Sequence, residues 1–474
     1  MTNEIRWMPA HEMAAQVRAG QLSAKEIATS MVEHVEAVNP LINAIVYWNP
    51  EEVLRDAARL DEEQASGAAT GPLHGVPYTI KDLTPMEGLP LTNGMLALRD
   101  NLGTFDAPIV ERMKSSGGLF LGRTNTPEAG YCGKTTNHLF GATLNPWNRE
   151  LSAGGSSGGA GAAVAAGLGP LAEGSDGGGS IRVPASLNGV VGLKPSTGRI
   201  PVVVSAQRYS TYLFHGPLTR TVADAALMLD VTAGHDPRDP LSLPDPTGSF
   251  LERLDGDLSG WRIAYSETLG LDVEVDAEVS SIVRAAVRRL ADAGAEIVEA
   301  GPAWGDAGMA MWNGLWVPGM AALGEMFDVE SMRGELDDEL IELVLHARKL
   351  RGDDIARADV FRGAYYDAFE FFMRDHRILA SPTTTVASYP VTQFNPEYLD
   401  GQPLQDRLLR WCLTWPFNMT TTPAISVPCG FTADGRPVGL QLAARHHADQ
   451  DVLNAAYAFE TLQPWADRRP ELAS

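Results

Sequence analysis

The 474-residue sequence predicts an α/β fold, a single large domain spanning residues 1–474 with a central mixed, mostly parallel β-sheet covered by helices. Three observations predict it. The strand-like run 261–265 is followed by a helical stripe, Val279, Val283, Val287 and Leu290, closed by Gly294, and then by the short strand of Ile297 and Val298. This strand–helix–strand order is the signature of parallel neighbours under a helix. Short apolar runs at 76–80 and 119–122 have strand length and alternate with helical stripes in the same way. Finally, 44% hydrophobic and 20% charged residues make an ordinary globular composition, and no internal repeat divides it.

The N-terminal part reads as helices. Ser23 and Glu26 form a capping-box signature ahead of the stripe Ile27, Met31, Val35 and Val38, with Pro40 soon after the stripe ends. Residues 51–64 form a second helix with a charged face. Gly71 and Pro72 break the chain, and strand 76–80 then delivers Lys81 and Asp82 at its end. Strand 119–122 leads into the loop 123–128. Residues 151–196 are crowded with Gly, Ser and Ala, yet 160–168 can form a helix of very small side chains able to lie close against a sheet. Val164, Leu168, Leu171, Ile181, Val190, Val191 and Leu193 are interleaved there, too much apolar content for a linker. Residues 302–377 turn helical, with Met309, Met311, Trp312, Trp316, Met320 and Met326 near the start. Ile378 and Leu379 enter Ser381-Pro382-Thr383, and 424–427 with 438–442 read as a hairpin at the sheet edge.

A formal net charge of -23 repels polyanions, which argues against nucleic-acid partners. Cys132, Cys412 and Cys429 stand far apart in no metal-ligand spacing, as expected of reduced thiols in a cytoplasmic protein without a metal site. Residues 1–7 contain no apolar signal core, and the least polar stretch, 158–172, is too short to span a bilayer. A soluble cytoplasmic protein is expected, with no membrane partner. Gly133-Lys134-Thr135 has the form of a phosphate-loop ending, but Glu128 stands where that motif needs its first glycine, and no cofactor-binding motif is present.

Chemistry concentrates in two glycine-rich runs, GGSSGG at 154–159 and GSDGGGSIR at 174–182. Glycine lets backbone approach a substrate. Gly177, Gly178 and Gly179 directly before Ser180 can aim several N–H groups at one point, as an oxyanion hole requires. A serine nucleophile also needs a base, and none of the ten histidines sits in a triad motif. Lys81 emerges from an apolar strand, where burial favours the neutral amine. Neutral Lys81 can deprotonate Ser156, which relays a proton to or from Ser180. Each feature has a plainer reading, a snorkelling or salt-bridged lysine and a turn or phosphate cradle. The combination shifts the balance towards a serine nucleophile served by a lysine base.

Residues 71–83 (GPLHGVPYTIKDL), 123–128 (RTNTPE), 141–148 (GATLNPWN), 154–195, Ser381-Pro382-Thr383 and 416–442 together resemble the amidase signature family over nearly the whole chain. The resemblance implies a large mixed sheet covered by helices and hydrolysis of an aryl or alkyl carboxylic amide through a seryl acyl-enzyme, without a cofactor. It implies that Ser180 is the nucleophile, that Lys81 is the general base and acid, and that Ser156 is a bridging serine reached through a cis peptide bond from Gly155. The amides of Gly177, Gly178, Gly179 and Ser180 would form the oxyanion hole, with Asp176 and Arg182 as a supporting pair. Gly130 and Tyr131 fall on the loop that lies beside the family's acyl pocket. Trp312 and Trp316 are further pocket candidates, from a helical region 302–377 expected to shape that pocket.

Two departures stand out. Gly177 replaces a residue often larger in the family, which leaves the loop freer to flex, and Asn188 stands where Cys is common. An amidotransferase subunit of the same family is disfavoured because Val183, not Gln, follows Arg182. An α/β-hydrolase esterase is disfavoured because the formal G-x-S-x-G at Gly154–Gly158 needs a preceding strand, and residues 148–153 make a poor one. The expected partner is a small-molecule amide, with a homodimer as a candidate assembly.

Overall fold

The computed structural model describes residues 2–68, 70–205, 207–305 and 308–472. Met1 and the side chain of Met309 lie outside them. The strands are β1 (Ile45–Tyr47), β2 (Pro77–Lys81), β3 (Leu119–Thr124), β4 (Leu144–Asn145), β5 (Asn148–Ser152), β6 (Leu171–Asp176), β7 (Val191–Lys194), β8 (Phe214–Thr219), β9 (Arg262–Tyr265), β10 (Glu296–Glu299), β11 (Ile378–Pro382), β12 (Ala424–Phe431) and β13 (Pro437–Ala443). All but β4 and β5 join one 11-stranded sheet in the order β1-β3-β2-β6-β8-β7-β12-β13-β11-β9-β10.

The sheet is mixed and helix-covered, as expected, but it is not mostly parallel. Parallel pairing is confined to β3-β2-β6 on one side and β11-β9-β10 on the other. The strands between them pair antiparallel. A parallel neighbour needs a crossover of roughly a dozen residues or more. Helix Ala277–Arg289 provides one between β9 and β10, whereas the short turn 432–436 makes β12 and β13 a hairpin. That hairpin is not at the edge. It lies between β7 and β11, its strands buried over most of their length, and the edges belong to β1 and β10.

After helices Thr2–Trp7 and Ala10–Arg18, the long helix Ala24–Ile42 opens on a capping box formed by Ser23 and Glu26. It continues past Pro40 because Ile42 is fully buried, and it ends at Asn43 with φ 51. Residues 151–196 are ordered and largely buried. Helix Gly158–Ala165, all Gly and Ala but for Val164, packs against β6, β8, β2 and β3. At Gly159 a Cβ would lie 2.4 Å from the Asn125 amide nitrogen and 2.6 Å from the Ala44 carbonyl oxygen, so nothing larger than glycine fits this approach. The region 302–377 is helical, with Val317–Met326, Asp338–Ala347 and Gly352–Phe372 as its main helices. Among the described residues no helix is long and apolar enough to cross a membrane.

Because β2 and β6 are adjacent and parallel, Lys81 and Asp176 end neighbouring strands at the same rim of the sheet. That rim, at the carboxyl ends of the strands, is where open α/β sheets place ligands.

Candidate active site

Lys81 is fully buried at the end of β2. Its Nζ lies 2.6 Å from Ser156 Oγ, 2.9 Å from Ser157 Oγ and 3.0 Å from Ser175 Oγ. Burial pushes its pKa down to about 7, against the opposing pull of Glu173 and Asp176. Glu173 accepts from the Lys81 backbone N–H at 3.0 Å and from Thr84 Oγ1 at 3.0 Å, and lies 2.7 Å from His215 Nδ1. Burial alone would raise the Glu173 pKa, but His215 and the Lys81 amide hold it below the ordinary value. A buried lysine beside three hydroxyls, with no carboxylate among its Nζ partners, is neither a surface salt bridge nor a snorkelling residue.

The peptide bond from Gly155 to Ser156 is cis. The Ser157 amide donates to the Ser180 carbonyl at 3.2 Å, tying the first serine loop to the second. Ser180 borders the same cavity as Ser156 and Ser175, and its hydroxyl has no hydrogen-bond partner among the described residues. The amides of Gly177, Gly178 and Ser180 are also unpartnered among the described residues. Gly179 differs from the expectation: its N–H donates to Asp176 Oδ1 at 2.7 Å, so it is committed to the loop and cannot serve an oxyanion.

Asp176 and Arg182 form a fully buried bidentate pair, with Arg182 Nε and Nη2 each donating at 3.0 Å. Arg182 also reaches the Thr414 carbonyl, Gln441 and Asn418. Burial would raise the Asp176 pKa, but the guanidinium and Asn418 bring it down to about 2. The stability this gives is complete above the unfolded carboxylate pKa of ~3.9 and is lost as pH falls through about 2. Replacing Arg182 by Met strands a buried carboxylate, and a loss of roughly 3–5 kcal/mol is expected. The paired variant Asp176→Asn/Arg182→Met is expected to regain part of that loss in thermal unfolding. No recovery would show that the residues do not act as a charge pair.

The cavity, about 270 Å³, is bordered on one side by Ser156, Ser175, Gly177 and Ser180 and elsewhere by Leu83, Tyr212, Leu213, Trp316 and Met320. Gly130 borders it, and a Cβ there would meet Leu83 Cδ1 at 2.6 Å and Ser156 Oγ at 3.3 Å. Tyr131 does not. Its ring is buried beside Phe394 and its hydroxyl donates to Asp337, so it braces the loop from behind. Trp312 is also absent from the wall and instead packs on Trp316, ring centroids 6.4 Å apart. Asn188 is a tie, donating from Nδ2 to the Ala153 and Pro184 carbonyls.

Several contributors are not evident from sequence alone. Ser157 and Ser175 sit inside the two glycine-rich runs, so their motifs marked them, and Asn418 lies in the 416–442 block. Thr414, Tyr212 and Leu213 carried no signal, because only the fold brings the first to the glycine loop and the other two to the cavity. Residues 148–152 do form a strand, β5, contrary to the expected poor strand. It pairs with β4 and bridges Pro390 through Leu151, outside the central sheet. Ser156 that follows it faces Lys81 rather than a histidine, so the esterase elbow is not built.

A family model described as Amidase matches residues 26–453. The chain is 54% identical over 466 residues to an acylamidase of Rhodococcus erythropolis, covering 98% of each. It is 34% identical to a glutamyl-tRNA(Gln) amidotransferase subunit of Moorella thermoacetica, covering 99% of each. A solved bacterial aryl acylamidase of the amidase signature enzymes superposes with a TM-score of 0.91 at 32% identity, over 97% of each chain.

Proposed function

The chain belongs to the amidase signature family, and from that premise we propose that it hydrolyses aryl or alkyl carboxylic amides through an acyl-enzyme on Ser180. One observation carries the reading: a buried lysine amine held near neutrality lies 2.6 Å from Ser156 Oγ, at the wall of a cavity that also holds Ser180 and free backbone amides.

A neutral amine has two N–H donors and one lone pair. The Ser157 hydroxyl donates to the Ser175 carbonyl at 3.2 Å, so towards Lys81 it accepts. With Ser157 and Ser175 taking the two N–H groups, the lone pair is left for the Ser156 O–H. Ser180 Oγ then attacks the amide carbon as its proton passes to Ser156 Oγ and the Ser156 proton passes to Lys81 Nζ. The amides of Gly177, Gly178 and Ser180 stabilise the oxyanion. The ammonium returns its proton through Ser156 to the departing amine, the C–N bond breaks, and water attacks the ester by the same relay.

The whole chain acts as one catalytic domain in this reading, with region 302–377 closing the cavity through Trp316, Gly319 and Met320. The apolar wall of Tyr212, Leu213, Trp316 and Met320 suits an aryl or alkyl group, in keeping with the acylamidase relatives. Identity to the acylamidase exceeds that to the amidotransferase subunit, and Val183 stays against the latter reading. Three buried, unpaired cysteines support a cytoplasmic setting, where the enzyme acts as a monomer or homodimer. A fluorophosphonate or sulfonyl fluoride is expected to label Ser180, read by peptide mass spectrometry. In a panel of anilides, fatty amides and small primary amides, anilides and alkyl amides of cavity size are expected to lead. Absence of label on Ser180, or no turnover across the panel, would overturn the proposal.

A further inference from the structure

The glycine loop has no side chains with which to hold itself, yet each of its carbonyls is fixed. The Asp176 carbonyl accepts from Asn418 Nδ2 at 3.1 Å, that of Gly177 from Trp316 Nε1 at 2.9 Å, and that of Gly178 from Thr414 Oγ1 at 2.7 Å. The Gly179 carbonyl accepts from the Val183 amide at 2.7 Å. In a planar trans peptide the C=O and the following N–H point in opposite directions. Fixing the four carbonyls therefore fixes the direction of the amides of Gly177, Gly178, Gly179 and Ser180. The Gly179 amide meets Asp176, and the other three are left for a substrate.

Of these clamps Trp316 is the one that comes from the helical region 302–377, where it ends a π-helical turn, Trp312–Trp316. Such turns recur at functional sites because they redirect one side chain within a helix. The fit depends on the glycine at 177: a Cβ there would lie 3.2 Å from Trp316 Nε1. At Gly178 a Cβ would lie 3.2 Å from Met311 Cε, so the same helix covers both residues.

We infer that Trp316 is a positioning residue for the oxyanion site, its indole N–H holding the Gly177–Gly178 peptide so that the Gly178 amide faces the reacting carbonyl. The small residue at 177 is then the partner of the indole rather than a source of looseness. This inference rests on the Ser180 acyl-enzyme reading. It adds a residue that touches no reacting atom yet governs one of the donors.

Trp316→Phe keeps a ring in the cavity wall and removes the donor. The kcat for an anilide is expected to fall about 10- to 100-fold, less than the ~10²–10³ seen when an oxyanion donor itself is deleted. Affinity for an arylboronic acid, which adds to Ser180 and places an oxygen in the hole, is expected to fall in parallel. The inhibition constant of a neutral, unreactive amide analogue is expected to stay within about twofold, a split that a purely structural role would not produce. Gly177→Ala is expected to cost less in the Trp316→Phe background than in the wild type, because the indole nitrogen it would crowd is gone. Should the Phe variant fold poorly, 3-benzothienylalanine at position 316, isosteric with tryptophan but without the N–H, carries the same measurement. An unchanged kcat in either form overturns the inference. So does a loss of neutral-analogue binding equal to the loss in kcat, which would make Trp316 only a wall. Ser180→Ala run in parallel separates the two readings. If it stays active, the acyl-enzyme and this inference fall together; if it is inactive while the Trp316 variant keeps its kcat, this inference falls alone.

Discussion

Ser180→Ala is expected to lower amide turnover by roughly 10⁴-fold or more, because no other hydroxyl on the glycine loop can take its place as nucleophile. Ser156→Ala is expected to cost roughly 10²–10⁴-fold, the range for losing a positioned proton carrier. The reason for the difference is geometric. Ser156 Oγ lies against Lys81 at 2.6 Å, whereas Ser180 follows directly on the amides that would receive the oxyanion. Residues that act as a unit are not additive, so the double variant is expected to be no slower than Ser180→Ala alone. Anilide hydrolysis in steady state, with fluorophosphonate labelling of each variant, gives the comparison. An active, labelled Ser180→Ala enzyme alongside an inactive Ser156→Ala enzyme would exchange the two roles and return the first serine loop to an esterase-like reading.

The parts of this site that are legible in the sequence are those in which one residue type has one job. Consecutive glycines before Ser180 and a lysine closing an apolar strand mark the rim of the sheet without reference to the fold. The parallel arrangement of β9 and β10 is readable because a helical stripe lies between them. The antiparallel centre is readable only at the β12–β13 hairpin, where a short turn separates two apolar runs. Its strands β7 and β8 are buried runs, and a run of buried residues carries no information about the direction of its neighbour. The same limit explains Tyr131 and Trp312. Each is a large aromatic near a functional loop, but which face it turns is decided by tertiary partners, Asp337 and Phe394 for one and Trp316 for the other. Gly179 shows a finer limit, since only the position of the Asp176 carboxylate reveals that its amide is already used.

Lys81 ties activity and stability to pH in the same sense, both rising as the buried amine loses its proton. With a folded pKa of about 7, the amine is protonated below neutrality and cannot accept the Ser156 proton. The kcat/KM for an anilide is therefore expected to rise with pH along an acid limb centred near pH 7 and to level off above it. Lys81→Met is expected to remove that limb together with most of the activity. The unfolded chain keeps a lysine pKa of ~10.4, so between about 7 and 10.4 it binds more protons than the folded chain, and folding stability rises with pH across that window. Below pH 7 the full cost of burying a cation is carried by the folded state. Relative to the wild type, Lys81→Met is thus expected to gain in Tm as pH is lowered from about 10 to 6, while remaining inactive throughout. A Tm difference that does not vary with pH would mean that the buried amine is not held near neutrality. An acid limb that survives in the Met variant would assign the titration to another group. Together the two profiles test whether the unfavourable burial of this lysine is what makes it a base at neutral pH.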